Sequence, residues 1–78
     1  MASAETRFEA RLANGEVEVA ESLWGARHAI ARRVAFEEDP LNPCNVLPAE
    51  IWKTGPNLFG GRVFVEKIFT AAELSTNG

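Results

Sequence analysis

His28 and Cys44 have the widest chemical range of any side chains in this chain, and each type occurs once. A histidine moves protons near neutral pH, and a thiolate attacks carbon or binds metal. Brought together by a fold, the two would make a nucleophile and its base. Their settings argue against that use. Cys44 lies in the run Asn42-Pro43-Cys44-Asn45, with no helix start aimed at it to stabilise a thiolate. Metal binding wants several converging ligands, and neither residue has a companion at a ligand spacing. The expected roles are a surface histidine and an unreactive cysteine. With one cysteine, no disulfide can close within the chain.

The segment Gly55-Pro56-Asn57-Leu58-Phe59-Gly60-Gly61 is the nearest approach to a phosphate loop. It lacks the Lys-Ser/Thr ending that reaches phosphate and magnesium. It also joins two strand-like runs, so a hairpin connection is expected and no cofactor. The carboxylates fall into two clusters, Glu16, Glu18 and Glu21, then Glu37, Glu38 and Asp39. Carboxylates do acid–base work in pairs across a cleft, whereas these are neighbours along solvated faces. Negative charge at a helix C-terminus is mildly unfavourable, so Glu37, Glu38 and Asp39 are expected to serve contact, by steering toward a basic partner surface. Arg27, Arg32 and Arg33, with His28, form the basic concentration. Arginines on one helix can touch phosphate, but Glu37, Glu38 and Asp39 follow at once and repel it. Helix solubility and internal ion pairs are the expected use. No constellation here requires an enzyme, and none is expected.

The elements that must position these residues belong to a short chain. Seventy-eight residues make one domain, 1–78, with frayed ends at 1–4 and 75–78. A domain this small buries ~60–65% of its unfolded surface, which leaves little room for a deep cavity. The chain is 46% hydrophobic and 24% charged, which is a globular composition. Its net charge of -3 argues against a general nucleic-acid binder, whose footprint is strongly basic. No basic region leads into an apolar run at the start, so no secretory signal is read, and no apolar run is long enough to span a membrane. A cytoplasmic location is the default expectation.

From Thr6 to Ala13 the residues alternate, with Phe8, Ala10 and Leu12 on one side and Arg7, Glu9 and Arg11 on the other. Period two predicts a half-buried strand. Asn14-Gly15 predicts a hairpin turn, because both residues tolerate positive φ. A second strand over Glu16 to Val19 follows, with Phe8, Leu12, Val17 and Val19 expected inward. Ser22 is placed to cap a helix running to about Glu37, closed by Asp39-Pro40. Leu23, Ala26, Ile30 and Val34 share one apolar stripe, with Trp24 and Ala31 at its edge. Gly25 costs the helix ~1 kcal/mol against alanine. Arg27 is expected to lay its stem over the core and reach water with its head. A proline-containing loop leads to a third strand, Ala49 to Thr54, and a fourth, Arg62 to Phe69. A short turn over Ala71, Ala72 and Leu74 ends the pattern. The order β-β-α-β-β predicts an α+β domain, a largely antiparallel sheet with one amphipathic helix on one face.

The fourth strand is apolar on both sides. Val63, Val65 and Phe69 are expected under the helix, with Phe64 and Ile68 on the opposite face. One helix hides one face, so Phe64 and Ile68 must meet loops, water or another chain. Trp52, Phe59 and Phe64, with Arg62 and Glu66 beside them, have the residue types of an interface anchor. They could equally form a satellite core with Leu41, Val46 and Leu47. A protein partner is therefore expected through Trp52, Phe59, Arg62, Phe64, Glu66 and Ile68, with Glu37, Glu38 and Asp39 as the acidic contribution. The alternatives are a homodimer built through the open sheet face, and nucleic-acid binding through the helix arginines.

The combination of an acidic single domain, the Asn14-Gly15 hairpin, one amphipathic helix from Leu23 to Phe36 and a strand pair from Ile51 to Phe69 resembles small inhibitors encoded by phages and mobile elements, anti-CRISPR proteins among them. The resemblance implies inhibition by docking on a nucleic-acid-processing complex such as a CRISPR effector. Such inhibitors share no residue signature, so it implies no particular site residues.

Overall fold

Asn14 and Gly15 do turn the chain, and the way they turn it fixes the face of everything that follows. In the computed structural model, which describes residues 6–39 and 42–74 apart from the side chain of Phe59, Gly15 has φ +96°. The Asn14 side chain accepts from the Glu16 N–H at 2.9 Å. Leu12 N–H donates to the Glu16 carbonyl at 2.8 Å, and Gly15 N–H to the Leu12 carbonyl at 2.9 Å. The loop between the strands is therefore Ala13-Asn14-Gly15, one residue longer than a two-residue Asn-Gly turn.

The strands are β1 (Arg7–Arg11), β2 (Val17–Ala20), β3 (Ala49–Thr54) and β4 (Arg62–Ile68), with the helix α1 (Leu23–Ala35) between β2 and β3. Short 3-10 turns occupy Phe59–Gly61 and Ala71–Leu74. The sheet has the order β2-β1-β3-β4, every pair antiparallel. The expected α+β architecture is the observed one. The frayed ends expected at 1–4 and 75–78 lie outside the described residues, as do Pro40 and Leu41.

Helix α1 forms for local reasons. Ser22 holds an extended backbone and its side chain accepts from Gly25 N–H at 2.9 Å, capping the first turn. Ala26, Ile30 and Val34 are buried, and Leu23 is packed beside them. Gly25 lies close to β2: a Cβ there would come within 3.2 Å of the Ala20 Cβ and of the Ser22 Oγ. Its cost in helix propensity accompanies a close approach of helix to strand.

Beneath the helix lie Ala10 and Leu12 of the first hairpin, Ala49 and Ile51 of β3, and Ile68 of β4, all buried. Val46 and Leu47 of the proline loop join the same cluster. The loop is stitched to the first hairpin, since Ala13 and Asn14 N–H donate to the Val46 and Asn45 carbonyls at 3.1 and 3.0 Å. Val46 and Leu47 thus belong to the main core and build no satellite core with Trp52 and Phe64.

Two facings depart from expectation, for one reason. The three-residue turn pairs Arg11 with Val17 and Ala10 with Glu18. Glu18 and Ala20 therefore point toward the helix, while Val17 and Val19 point away, 46% and 56% exposed. A slip of one residue moves every side chain of a strand to the other face. On β4 the register shifts between Ile51 and Trp52: Ile51 pairs with Glu66, but Trp52 with Phe64. Val65 is the extra residue of a bulge. Ile68, expected outward, is 1% exposed in the core, whereas Phe69, expected inward, is 60% exposed. Val65 packs on the core as expected, and Val63, on the helix side near the strand start, is 44% exposed.

Candidate binding surface on the open sheet face

The registers set out, row by row, the sheet face that no described helix covers. One row crosses the sheet as Val19, Glu9, Trp52 and Phe64, and the next as Val17, Arg11, Glu50 and Lys67. A third brings Arg7, Thr54 and Arg62 together. Strands stand about 4.8 Å apart, so each row is a line of neighbouring side chains.

On the β3–β4 side of this face Trp52 and Phe64 meet edge to face, ring centroids 5.4 Å apart at 78°. The Arg62 guanidinium lies over the Trp52 ring, 5.2 Å from its centroid. Trp52 Nε1 donates to Glu50 Oε1 at 3.0 Å, so the indole is oriented at both its ring and its nitrogen. Phe64 remains 47% exposed. Glu9 accepts two bonds from the Arg11 guanidinium, at 3.1 and 3.2 Å. Lys67 sits over the ring of Phe69 at 5.3 Å. The face therefore carries Arg7, Arg11, Arg62 and Lys67 against Glu9 and Glu50. Its charge balance is opposite to that of the chain as a whole, which is -3.

The helix-side face spends its charges differently. Arg27 Nη1 bonds Glu66 Oε2 at 2.6 Å, and its other terminal nitrogen donates to the Glu73 carbonyl. The stem of Arg27 covers the core as expected, but its head is held between β4 and the last 3-10 turn instead of lying free in water. Arg33 bonds Glu18 Oε2 at 2.9 Å and also pairs with Glu16. Hydrogen bonds that it donates to Glu16 and then Glu18 hold the Arg33 guanidinium above its ordinary pKa. Two of the three helix arginines are thus engaged within the fold; Arg32 is exposed.

Of the expected interface residues, Trp52, Arg62 and Phe64 come together. Glu66 lies on the other side of the sheet with Arg27, and Ile68 is in the core. Phe59 opens the 3-10 turn before β4, and its side chain is outside the described set. Glu37, Glu38 and Asp39 follow the helix end, where Asn45 Nδ2 donates to Glu37 at 3.5 Å; they belong to the helix layer and not to the open face. Val17, Val19 and Glu50 are members that the residue pattern did not reveal. Arg7, Glu9 and Arg11 were legible from the alternation of β1, but only the registers bring them beside Trp52.

Cys44 and His28 line separate clefts. Exposed Cys44 borders a shallow pocket of about 280 Å³ with Leu47 and Phe69, whereas His28 shares a narrower one with Trp24 and Leu74. Among the described residues no group of three or more His, Cys, Asp or Glu is placed to hold a metal ion. Among them, too, no helix is long and apolar enough to cross a membrane. Compared with known proteins, the chain matches no family model, no curated protein and no solved structure.

Proposed function

We propose that this chain is a non-enzymatic protein-binding domain that docks on an acidic partner surface through its open sheet face. The observation that carries the reading is the Trp52–Phe64 pair, partly exposed on the β3–β4 side of that face and flanked by Arg62 and Lys67. Aromatics that are already oriented lose little freedom on binding, and an arginine stacked on tryptophan offers both a flat apolar surface and a charge. The cations on the face select an acidic partner.

A protein fits this face better than a nucleic acid does. A phosphate chain crossing the strands would pass over Glu9 and Glu50, which occupy the two central strands. The helix arginines offer a nucleic acid little more, since Arg27 and Arg33 are committed to carboxylates. Blocking a larger complex is one use of such a face, and its charge favours an acidic protein component of that complex.

The test is affinity capture with the wild-type chain and with Phe64→Ala and Arg62→Glu, followed by binding measurements on each protein recovered. Partners held through this face lose about tenfold or more in affinity for Phe64→Ala, as expected of an aromatic anchor. Unchanged affinity of every partner for both folded variants refutes the proposed face.

A further inference from the structure

The open face ends at β4, and β4 is an edge. It is the outermost strand of the sheet on that side and, at seven residues, the longest strand. An edge strand presents unpaired N–H and C=O groups. None of the turn and loop hydrogen bonds among the described residues reaches 63–67. The capping bonds of Glu73 begin only at Phe69 and Thr70 N–H. The opposite edge, β2, is four residues long; Glu16 precedes it and Glu18 lies within it, both held by Arg33.

Resting on the docking reading above, we propose that the partner contributes an extended acidic segment that pairs with the β4 edge as an added strand. Alternate side chains of such a strand fall on the open face. They would lie beside Arg62, Phe64 and Lys67, the open-face residues of β4. Cross-strand neighbours of opposite charge attract and like charges repel. The segment is therefore acidic, then apolar, then acidic at alternate positions, with carboxylates beside Arg62 and Lys67 and the apolar side chain beside Phe64. Main-chain bonds supply affinity in this mode, and the alternate side chains supply specificity.

The same charges disfavour a second copy of the chain on this edge. A two-fold pairing of β4 with β4 keeps the two open faces on one side of the extended sheet. One register that aligns those faces sets Arg62 opposite the copy's Lys67 at both ends, cation against cation.

The probes are three blocked synthetic heptapeptides. The first alternates threonine with aspartate, valine and aspartate; the second carries lysine for both aspartates; the third has the first sequence with N-methyl groups on the amides that would bond β4. Binding is followed by amide NMR and hydrogen exchange. The acidic peptide is expected to slow exchange at outward-facing β4 amides and to shift the Trp52 indole signal. The lysine peptide should bind about tenfold weaker, from reversal of two cross-strand charge pairs. The double variant Arg62→Glu, Lys67→Glu should invert that preference; both side chains are exposed, and circular dichroism checks its fold.

Equal binding of the N-methylated peptide, with Trp52 and Phe64 shifted but no β4 protection, overturns edge pairing and leaves the docking face standing. No binding of the acidic peptide at millimolar concentration also overturns edge pairing, and the face then stands or falls on the Phe64→Ala capture experiment. Protection of β4 that rises with protein concentration alone assigns the edge to a second copy. Salt-sensitive binding of oligothymidylate at Trp52 overturns both proposals in favour of nucleic acid.

Discussion

Ile51 and Trp52 are neighbours on β3 with opposite surroundings. Ile51 is fully buried beneath α1, whereas Trp52 lies on the side that no described helix covers and finds its contacts in Phe64, Arg62 and Glu50. The covered face has small and aliphatic residues at its centre, Ala10, Ala49, Ile51 and Ile68, with ion pairs at the margins, Arg27–Glu66 and Arg33–Glu18. The open face inverts that plan. Its aromatics lie among charges on the β3–β4 side, and Val17 and Val19, on the opposite edge strand β2, are half-exposed. Stability thus resides on one side of the sheet, and the groups suited to recognition lie on the other.

Substitutions can break or sharpen this contrast. Ile51→Ala should have the largest effect, a loss of about 2–5 kcal/mol in urea unfolding, because it empties part of a fully buried site. A loss under about 1 kcal/mol would show that the covered face is not the core. Arg27→Met keeps the stem over the core and removes the head, leaving Glu66 and the Glu73 carbonyl without their partner. Its expected cost is about 1–3 kcal/mol by the same measurement, with earlier hydrogen exchange around Ala71–Leu74. Ser22→Ala should cost ~1 kcal/mol, and Ser22→Gly only a few tenths, which separates a lost cap from a general helix defect. Val19→Thr should lie within about 0.5 kcal/mol of wild type, since it alters a side chain that faces water. A cost of 2 kcal/mol or more at Val19, compared with the ~1 kcal/mol typical of point substitutions, would return β2 to the inward facing that its sequence suggests.

The helix and the strand positions were legible because their signals are local. The stripe Leu23, Ala26, Ile30 and Val34 repeats at the helical period and needs no other part of the chain to be recognised. Strand β3 was read over its observed residues, Ala49–Thr54, and α1, expected to about Glu37, ends at Ala35 with Phe36 as its C-cap. Facing was less secure. Period-two alternation fixes which residues go together but not which side is inward once a turn or bulge adds a residue. At Asn14-Gly15 both two- and three-residue loops suit the same residue types, and the chain takes the longer. At Val65 the extra residue exists only relative to β3.

The candidate surface was legible to the same degree. Trp52, Arg62 and Phe64 were found by residue type, and antiparallel pairing of β3 with β4 joins them. Glu66 and Ile68 were misplaced because strict alternation was carried through the bulge. The internal ion pairs expected of the helix arginines do form, but Arg33 meets Glu18 across 15 residues and Arg27 meets Glu66 across 39, so their partners could not be named from the helix alone.

By itself the sequence determined the element order, the apolar stripe of the helix, the Ser22 cap and the presence of more apolar surface on β4 than one helix can hide. These follow from backbone preferences and hydrophobic periods that act over a few residues. The tertiary structure decided which strand faces lie under the helix, that the proline loop fills the main core, and that the open face is led by Trp52 and Phe64 among cations. Those outcomes depend on register, and one residue in a turn or bulge is enough to exchange the two sides of a strand.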